Sequence, residues 1–325
     1  MNGFLTQLHH SFSVTGPIFI MLGLGVALKR WALIDDKFIE GGSRLVFTVT
    51  LPALLFLSVV KADLQQIGNI NLLLFALIAN TLIYVLFELF AQKLIKNKNE
   101  TGVVVQGAFR ANTGIIGLAY VSNAYGETGL VIGSLYVAVI TVLYNILAVI
   151  TLSRSSPDTQ SLSISNLLRS IVKNPLIISI CSAIPISLLE VDLPAVLLQS
   201  GSYFADMTLP LALLCTGASL DMKQLRQDSS NANYSTCGRL IIAPGMITAA
   251  GYLLGYRDIE LGIIFLMSAA PTAAASYVMA NAMGANAKLA ANVIAMTTIG
   301  SLFTCSLGIT LLSHSGLLGT LGTLG

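Results

Sequence analysis

Phe109-Arg110-Ala111-Asn112-Thr113-Gly114-Ile115-Ile116-Gly117-Leu118-Ala119-Tyr120 lies inside an apolar run, yet its glycines and polar residues suit a membrane helix that breaks midway. A second such stretch, Ala269-Ala270-Pro271-Thr272-Ala273-Ala274-Ala275-Ser276-Tyr277-Val278-Met279, occupies the corresponding place in the other half of the chain. Paired Gly/Pro-interrupted apolar segments are the best pointer in a sequence to the substrate site of a secondary transporter. A broken helix leaves N–H and C=O groups without partners, at several kcal/mol each in hydrocarbon, so water, facing protein, ion or substrate must satisfy them.

The surrounding chain fits that setting. Of its 325 residues 55% are hydrophobic and only 10% charged, with mean hydropathy +0.81. Soluble domains carry about 25% charge, which excludes a soluble globular enzyme. A ~30 Å hydrocarbon core needs about 20 apolar residues per helix. Ten such runs are present, near 13–29, 38–60, 70–92, 102–122, 128–152, 164–188, 201–220, 238–255, 258–283 and 288–313. The expected fold class is therefore an all-α membrane protein with ten transmembrane helices. The net charge of +2 and the lack of a basic patch with interleaved aromatics argue against a nucleic-acid partner. Cys181, Cys215, Cys237 and Cys305 lie in or beside apolar runs without CxxC spacing and read as small hydrophobes, with no metal or other cofactor expected. Met1–Phe12 contains no Lys or Arg, so the n-region of a cleaved signal is missing and the first span should be retained.

Lys and Arg placement sets the expected orientation. With both termini outside, cytoplasmic loops hold Lys29, Arg30, Lys37, Arg44, Lys93, Lys96, Lys98, Arg154, Arg169, Lys173, Lys223, Arg226, Arg239 and Lys288. Only Lys61 and Arg257 fall outside, and Arg110 lies within a span.

An internal repeat organises the spans. Gly16-Pro17-Ile18-Phe19-Ile20 resembles Asn174-Pro175-Leu176-Ile177-Ile178, and Leu51-Pro52-Ala53-Leu54-Leu55 resembles Leu209-Pro210-Leu211-Ala212-Leu213, both 158 positions apart. Thr113-Gly114 falls opposite Pro271-Thr272 at the same offset. Units of five spans must insert in opposite senses, so the sequence implies two inverted five-helix repeats, 1–152 and 164–325, joined by a polar cytoplasmic linker at 153–163. Broken helices 4 and 9 should then cross near the midplane.

These residues resemble the auxin efflux carrier family over essentially the whole chain. The resemblance rests on Leu51-Pro52-Ala53-Leu54-Leu55-Phe56, Arg110-Ala111-Asn112-Thr113-Gly114 with Gly117, Lys173-Asn174-Pro175-Leu176, Pro210-Leu211-Ala212-Leu213-Leu214 with Gly217, and Ala270-Pro271-Thr272. It implies a scaffold of spans 1, 2, 6 and 7, a moving domain holding the crossed helices, and carriage of organic anions such as malonate or malate across the bacterial inner membrane. Family members often have a proline just past each break, where this chain has Ala119 and Ser276, so a softer break is expected here.

The candidate substrate site follows from the crossing. The second half of each broken helix, starting near Ile116 and near Thr272, points its N-terminal end at the midplane, where free N–H groups and the helix dipole favour an anion. Asn112, Thr113, Gly114, Gly117, Pro271, Thr272 and Ser276 should line it, unless these small residues serve only close packing. Arg110, about 12 Å into its span at 1.5 Å per residue, should face a cavity and bind carboxylate or snorkel to the interface. Asp206 is an intramembrane carboxylate that could couple protons or a cation, or reach outer water. Glu88 reads as an interfacial pair with Lys93. Asn80, Tyr120, Tyr136, Tyr144, Asn145, Asn281, Thr297 and Thr298 read mostly as interhelical hydrogen bonders, and Trp31 as an interfacial anchor.

The leading expectation is a secondary carrier for small organic anions working by alternating access, with a channel or a substrate sensor on the same fold as the alternative. The expected partners are the anion and the bilayer, with proton or sodium coupling and a homodimer left open. An enzyme is disfavoured: Ser219 and His314 fall at opposite membrane faces, and there is no HExxH or Walker sequence.

Overall fold

The structure is a computed structural model that describes residues 2–61, 70–155, 172–220 and 230–318. Helix α1 spans Asn2–Arg30, followed by α2 (Asp36–Leu45), a π-helical turn (Val46–Thr50) and α3 (Leu51–Val60), which run on as one rod. Next come α4 (Ile70–Leu94), α5 (Lys98–Phe109), a second π-helical turn (Thr113–Gly117) and α6 (Leu118–Ser155). The second half contributes α7 (Pro175–Leu188), α8 (Ala195–Ser219), α9 (Ser230–Cys237), a third π-helical turn (Gly238–Ile242), α10 (Ala243–Leu253), α11 (Asp258–Ala269), α12 (Ala275–Ala282) and α13 (Ala287–His314). Each of the ten apolar runs thus carries helix among the described residues. Five of these helical stretches are long and apolar enough by themselves to cross a membrane. The part of the sixth run before Val172 and the linker from residue 156 onward lie outside the described residues.

Local chemistry accounts for the boundaries. Asn174 caps α7 by accepting the Leu176 N–H at 2.9 Å, with Pro175 in the first turn where its missing N–H costs nothing. Two π-helical turns precede Pro52 and Pro244. Proline removes an N–H and crowds the carbonyl four residues back. The chain responds by widening one turn, so that Leu51 N–H reaches Val46 O and Ala243 N–H reaches Gly238 O. Gly126 (φ 57, ψ −139) bends α6 into two helices, near where the gap between the fourth and fifth runs falls.

The helices pack in two groups. α1, α2, α3, α7 and α8 form one, and α4–α6 with α9–α13 the other. In the first group α1 and α8 approach to backbone contact: a Cβ on Gly25 would strike Leu214 O, and one on Gly217 would strike Leu22 O. Small residues permit this approach, which supplies the dispersion that lipid cannot replace. The groups meet where α1 lies against α13 and α6, and α3 against α6. Hydroxyls and one amide line that seam: Ser11 with Thr310 at 2.7 Å, Thr15 with Ser306 at 2.9 Å, and Asn123 Nδ2 donating to Val14 O at 3.0 Å.

Candidate functional site

The two interrupted segments meet. Helix α5 ends at Phe109, and the backbone turns extended at Arg110 (ψ 91) before Asn112 (ψ 64) leads into the π-helical turn. Helix α11 ends at Ala269, and Ala270 is extended (φ −59, ψ 143), the conformation that a following proline imposes. Ala111 and Thr272 form an antiparallel bridge, with Asn112 N–H donating to Pro271 O at 2.7 Å and Ala273 N–H to Arg110 O at 3.0 Å. Each break therefore satisfies part of the other's exposed backbone, as membrane interiors require.

The carbonyls at the ends of the incoming halves are met by side chains. Gly107 O, freed because Ala111 is not helical, accepts the Thr272 hydroxyl at 2.7 Å. Thr272 N–H in turn donates to Thr297 Oγ1 at 3.1 Å. Phe109 O accepts Nη1 of Arg239 at 2.5 Å, and Ser268 O accepts Nη2 of the same side chain. Arg239 is fully buried. This corrects its expected place among the loop cations, which follows from the polarity of the preceding helix, Ser230–Cys237. That polarity instead faces α5, where Ser235 donates to Val104 O at 2.7 Å. Gly107 and Gly238 let the helices close: a Cβ on Gly238 would lie 3.0 Å from Ala108 Cβ, and one on Gly107 2.8 Å from Val293 Cγ1.

Beside the crossing is a cavity of about 870 Å³. Arg110 and Asn145 face it, with Arg44, Ser43, Thr216 and Ser219 from the other helix group. Ile115, Ala274 and Ala275, at the starts of the two outgoing halves, also line it. Among the described residues, two arginines and no carboxylate stand on its wall. Arg110 Nη2 donates to Asn145 Oδ1 at 2.7 Å while Nη1 rests on the Met279 sulfur, so the guanidinium is held in place without an acidic partner in these contacts.

The expected site residues divide accordingly. Arg110 lines the cavity. Asn112, Pro271 and Thr272 build the crossing behind it, and Gly117 N–H returns to Asn112 O at 2.9 Å to start the outgoing half. Thr113 is buried in that same turn, and a Cβ on Gly114 would meet only ordinary contacts with Val137 and Leu51. Ser276 is buried, and its hydroxyl has no partner among the described residues. Asp206 is exposed on α8 and is not on the cavity wall. The fourth-helix break lies a turn earlier than expected and is not soft: three residues out of the helix carry it, and the Gly114–Gly117 pair forms the turn that follows. Glu88 also differs from expectation. It is buried, accepting from Thr151 at 2.8 Å and from Gln92 at 3.4 Å. Glu100, not singled out on sequence, accepts amides from Asn231 at 2.6 Å and Asn286 at 3.1 Å, tying the start of α5 to α9 and to the cap of α13. Among the interior polar residues, Asn145 and Thr297 belong to the site. Tyr144 donates to Asn80 at 2.8 Å and Asn80 to Tyr136 at 3.2 Å, an interhelical cluster as expected.

The family model for membrane transport proteins, the auxin efflux carrier family, matches residues 12–309. The chain belongs to this family. Among its relatives is the Rhizobium meliloti protein named "Putative malonate transporter", 27% identical over 93% of this chain and 95% of that protein. An "Uncharacterized transporter" of Methanothermobacter thermautotrophicus is 24% identical over 88% of this chain and 93% of its own. The Escherichia coli K12 "Uncharacterized transporter YfdV" is 23% identical over 90% and 95%. Family and relatives are transporters, so this is a membrane transport protein with a small-molecule substrate.

Proposed function

We propose that this protein is a secondary carrier that moves small organic anions, carboxylates foremost, across the bacterial inner membrane by alternating access. The observation that carries the reading is the cavity beside the crossing, walled by Arg110 and Arg44 with no carboxylate among the described residues. Guanidinium matches carboxylate as a planar, two-pronged donor. The outgoing half-helices begin at the same cavity, through Ile115 on one side and Ala274 and Ala275 on the other. Their first N–H groups have no partner further up their own helix, and the dipole adds positive potential. Asn112, Thr113, Gly114, Gly117, Pro271, Thr272 and Ser276 shape this wall from behind, and Arg110 touches the substrate.

The volume falls within the ~300–1,000 Å³ of small-molecule sites. Arg44, Ser219, Leu220 and Ala291 are among the residues that line the cavity. The hydroxyl seam of Ser11, Thr15, Ser306 and Thr310 lies further along α13, among residues that do not line the cavity. Ala291 and Ser306 share α13, about fifteen residues or roughly 22 Å apart at 1.5 Å per residue. With both termini outside, as the Lys/Arg bias implies, the cavity faces the cytoplasm and the seam closes the outer side. The two helix groups then correspond to scaffold and moving domain, and the two halves of the chain to inverted repeats.

Purified protein in proteoliposomes should take up labelled mono- and dicarboxylates saturably and ignore the corresponding neutral amides. Equal uptake of acids and amides would overturn the anion reading.

A further inference from the structure

We propose that Arg239 is a positioning residue for transport, a tethered cation that holds the C-terminal ends of both incoming half-helices at the crossing. The inference rests on the carrier reading for its functional consequence but not for its geometry. Helices α5 and α11 each terminate at the crossing, and the last carbonyls of any helix lack intrahelical partners and carry its negative dipole end. In carriers built on interrupted helices, such ends and the adjoining unwound carbonyls commonly coordinate a coupling cation. Here one guanidinium occupies that place, donating through Nη1 to Phe109 O and through Nη2 to Ser268 O.

Three features set the side chain there. Gly238, next to it, lets its helix close on Ala108 and Phe87. The widened turn Gly238–Ile242 forced by Pro244 presents Arg239 toward the breaks. Among the described residues its guanidinium donates to two carbonyls and to no carboxylate. A fully buried cation without an acid partner is expensive unless dipoles of opposite sign surround it, and two converging helix ends are such dipoles. Arg110 and Arg239 thereby divide the labour. Arg239 spends its charge on the protein backbone, and Arg110, bound only to neutral Asn145 and Met279 in its described contacts, keeps its charge for the cavity.

The test uses the full chain in lipid nanodiscs and proteoliposomes, as wild type, Arg239→Met and Arg239→Lys. Hydrogen–deuterium exchange is followed at the amides of Asn112 and Ala273, which bridge the crossing, with α1 and α8 as internal references. Arg239→Met should speed exchange at both amides at least tenfold, leave the references unchanged, and lower anion uptake at least tenfold. Arg239→Lys should stay within about threefold of wild type in both readouts, because an ammonium can also donate to two carbonyls. Wild-type exchange at the breaks in Arg239→Met, or a lysine variant as impaired as the methionine one, would overturn the proposal. If Arg239→Met does not assemble, the lysine variant decides on the same threefold and tenfold limits. If wild type moves no anion while exchange behaves as described, the carrier reading fails and the positioning role stands.

Discussion

Replacing Arg110 with glutamine removes one positive charge from the cavity while keeping a side chain that can still hydrogen-bond Asn145. Bare Coulomb attraction between a guanidinium and a carboxylate 4 Å apart is about 4 kcal/mol at an effective dielectric of 20. That figure overstates the loss, because the anion exchanges water for protein on entering. A hydrogen bond involving a charged group contributes about 1.5–3 kcal/mol net. At 1.4 kcal/mol per tenfold, Arg110→Gln should weaken binding of a carboxylate by about 10- to 150-fold. The decrement should be largely absent for a neutral amide of the same shape, since the retained hydrogen bond at Asn145 keeps the wall intact. The assay is equilibrium binding of the labelled acid and its labelled amide to purified protein in nanodiscs. Acid and amide weakened alike, or neither weakened, would refute a charge-based role and assign Arg110 to structure.

Packing and gating make further predictions. Gly217→Ala places a methyl on the backbone of Leu22 and should lower the melting temperature in detergent, since overpacking costs roughly 1–3 kcal/mol. Gly23→Ala should not, because a Cβ there would meet nothing within 4 Å; equal melting of the two variants would contradict the close approach of α1 and α8. Cysteines at Thr15 and Ser306, in a background lacking the four native cysteines, should form a disulfide that stops uptake until a reductant is added. Uptake that persists in the oxidised form would mean that the seam does not open during transport. Asp206→Asn should leave the pH profile of uptake unchanged, because the carboxylate lies off the cavity wall; a flattened profile would return it to the coupling mechanism.

Much of this was legible in the sequence because the lipid environment permits few solutions. Apolar runs had to become helices, and Pro271 obliged Ala270 to extend, so the ninth-helix break could be placed to within a residue or two. The fourth-helix break was harder. No proline marks it, and the glycines that drew notice form the π-helical turn after it, while the extension at Arg110–Asn112 depends on hydrogen bonds with Pro271 and Ala273 across the crossing. Pairing of that kind is tertiary and leaves no local signature. Arg239 was missed for a related reason. Hydropathy began the eighth run only at Gly238, which left Arg239 at its cytoplasmic edge, although Ser235, Thr236 and Gly238 mark the tight, hydroxyl-bearing surface that helices use against one another. Glu88 misled in the opposite direction: a carboxylate near a run's end suggested solvent, whereas Thr151 and Gln92 supply its partners inside the protein.

Equilibrium counterflow tests the carrier claim most directly. Proteoliposomes loaded with an unlabelled dicarboxylate and diluted into a trace of the labelled acid should show a transient overshoot of internal label, abolished in Arg110→Gln. A monotonic rise to equilibrium without overshoot, as through an open pore, would contradict alternating access at the crossing.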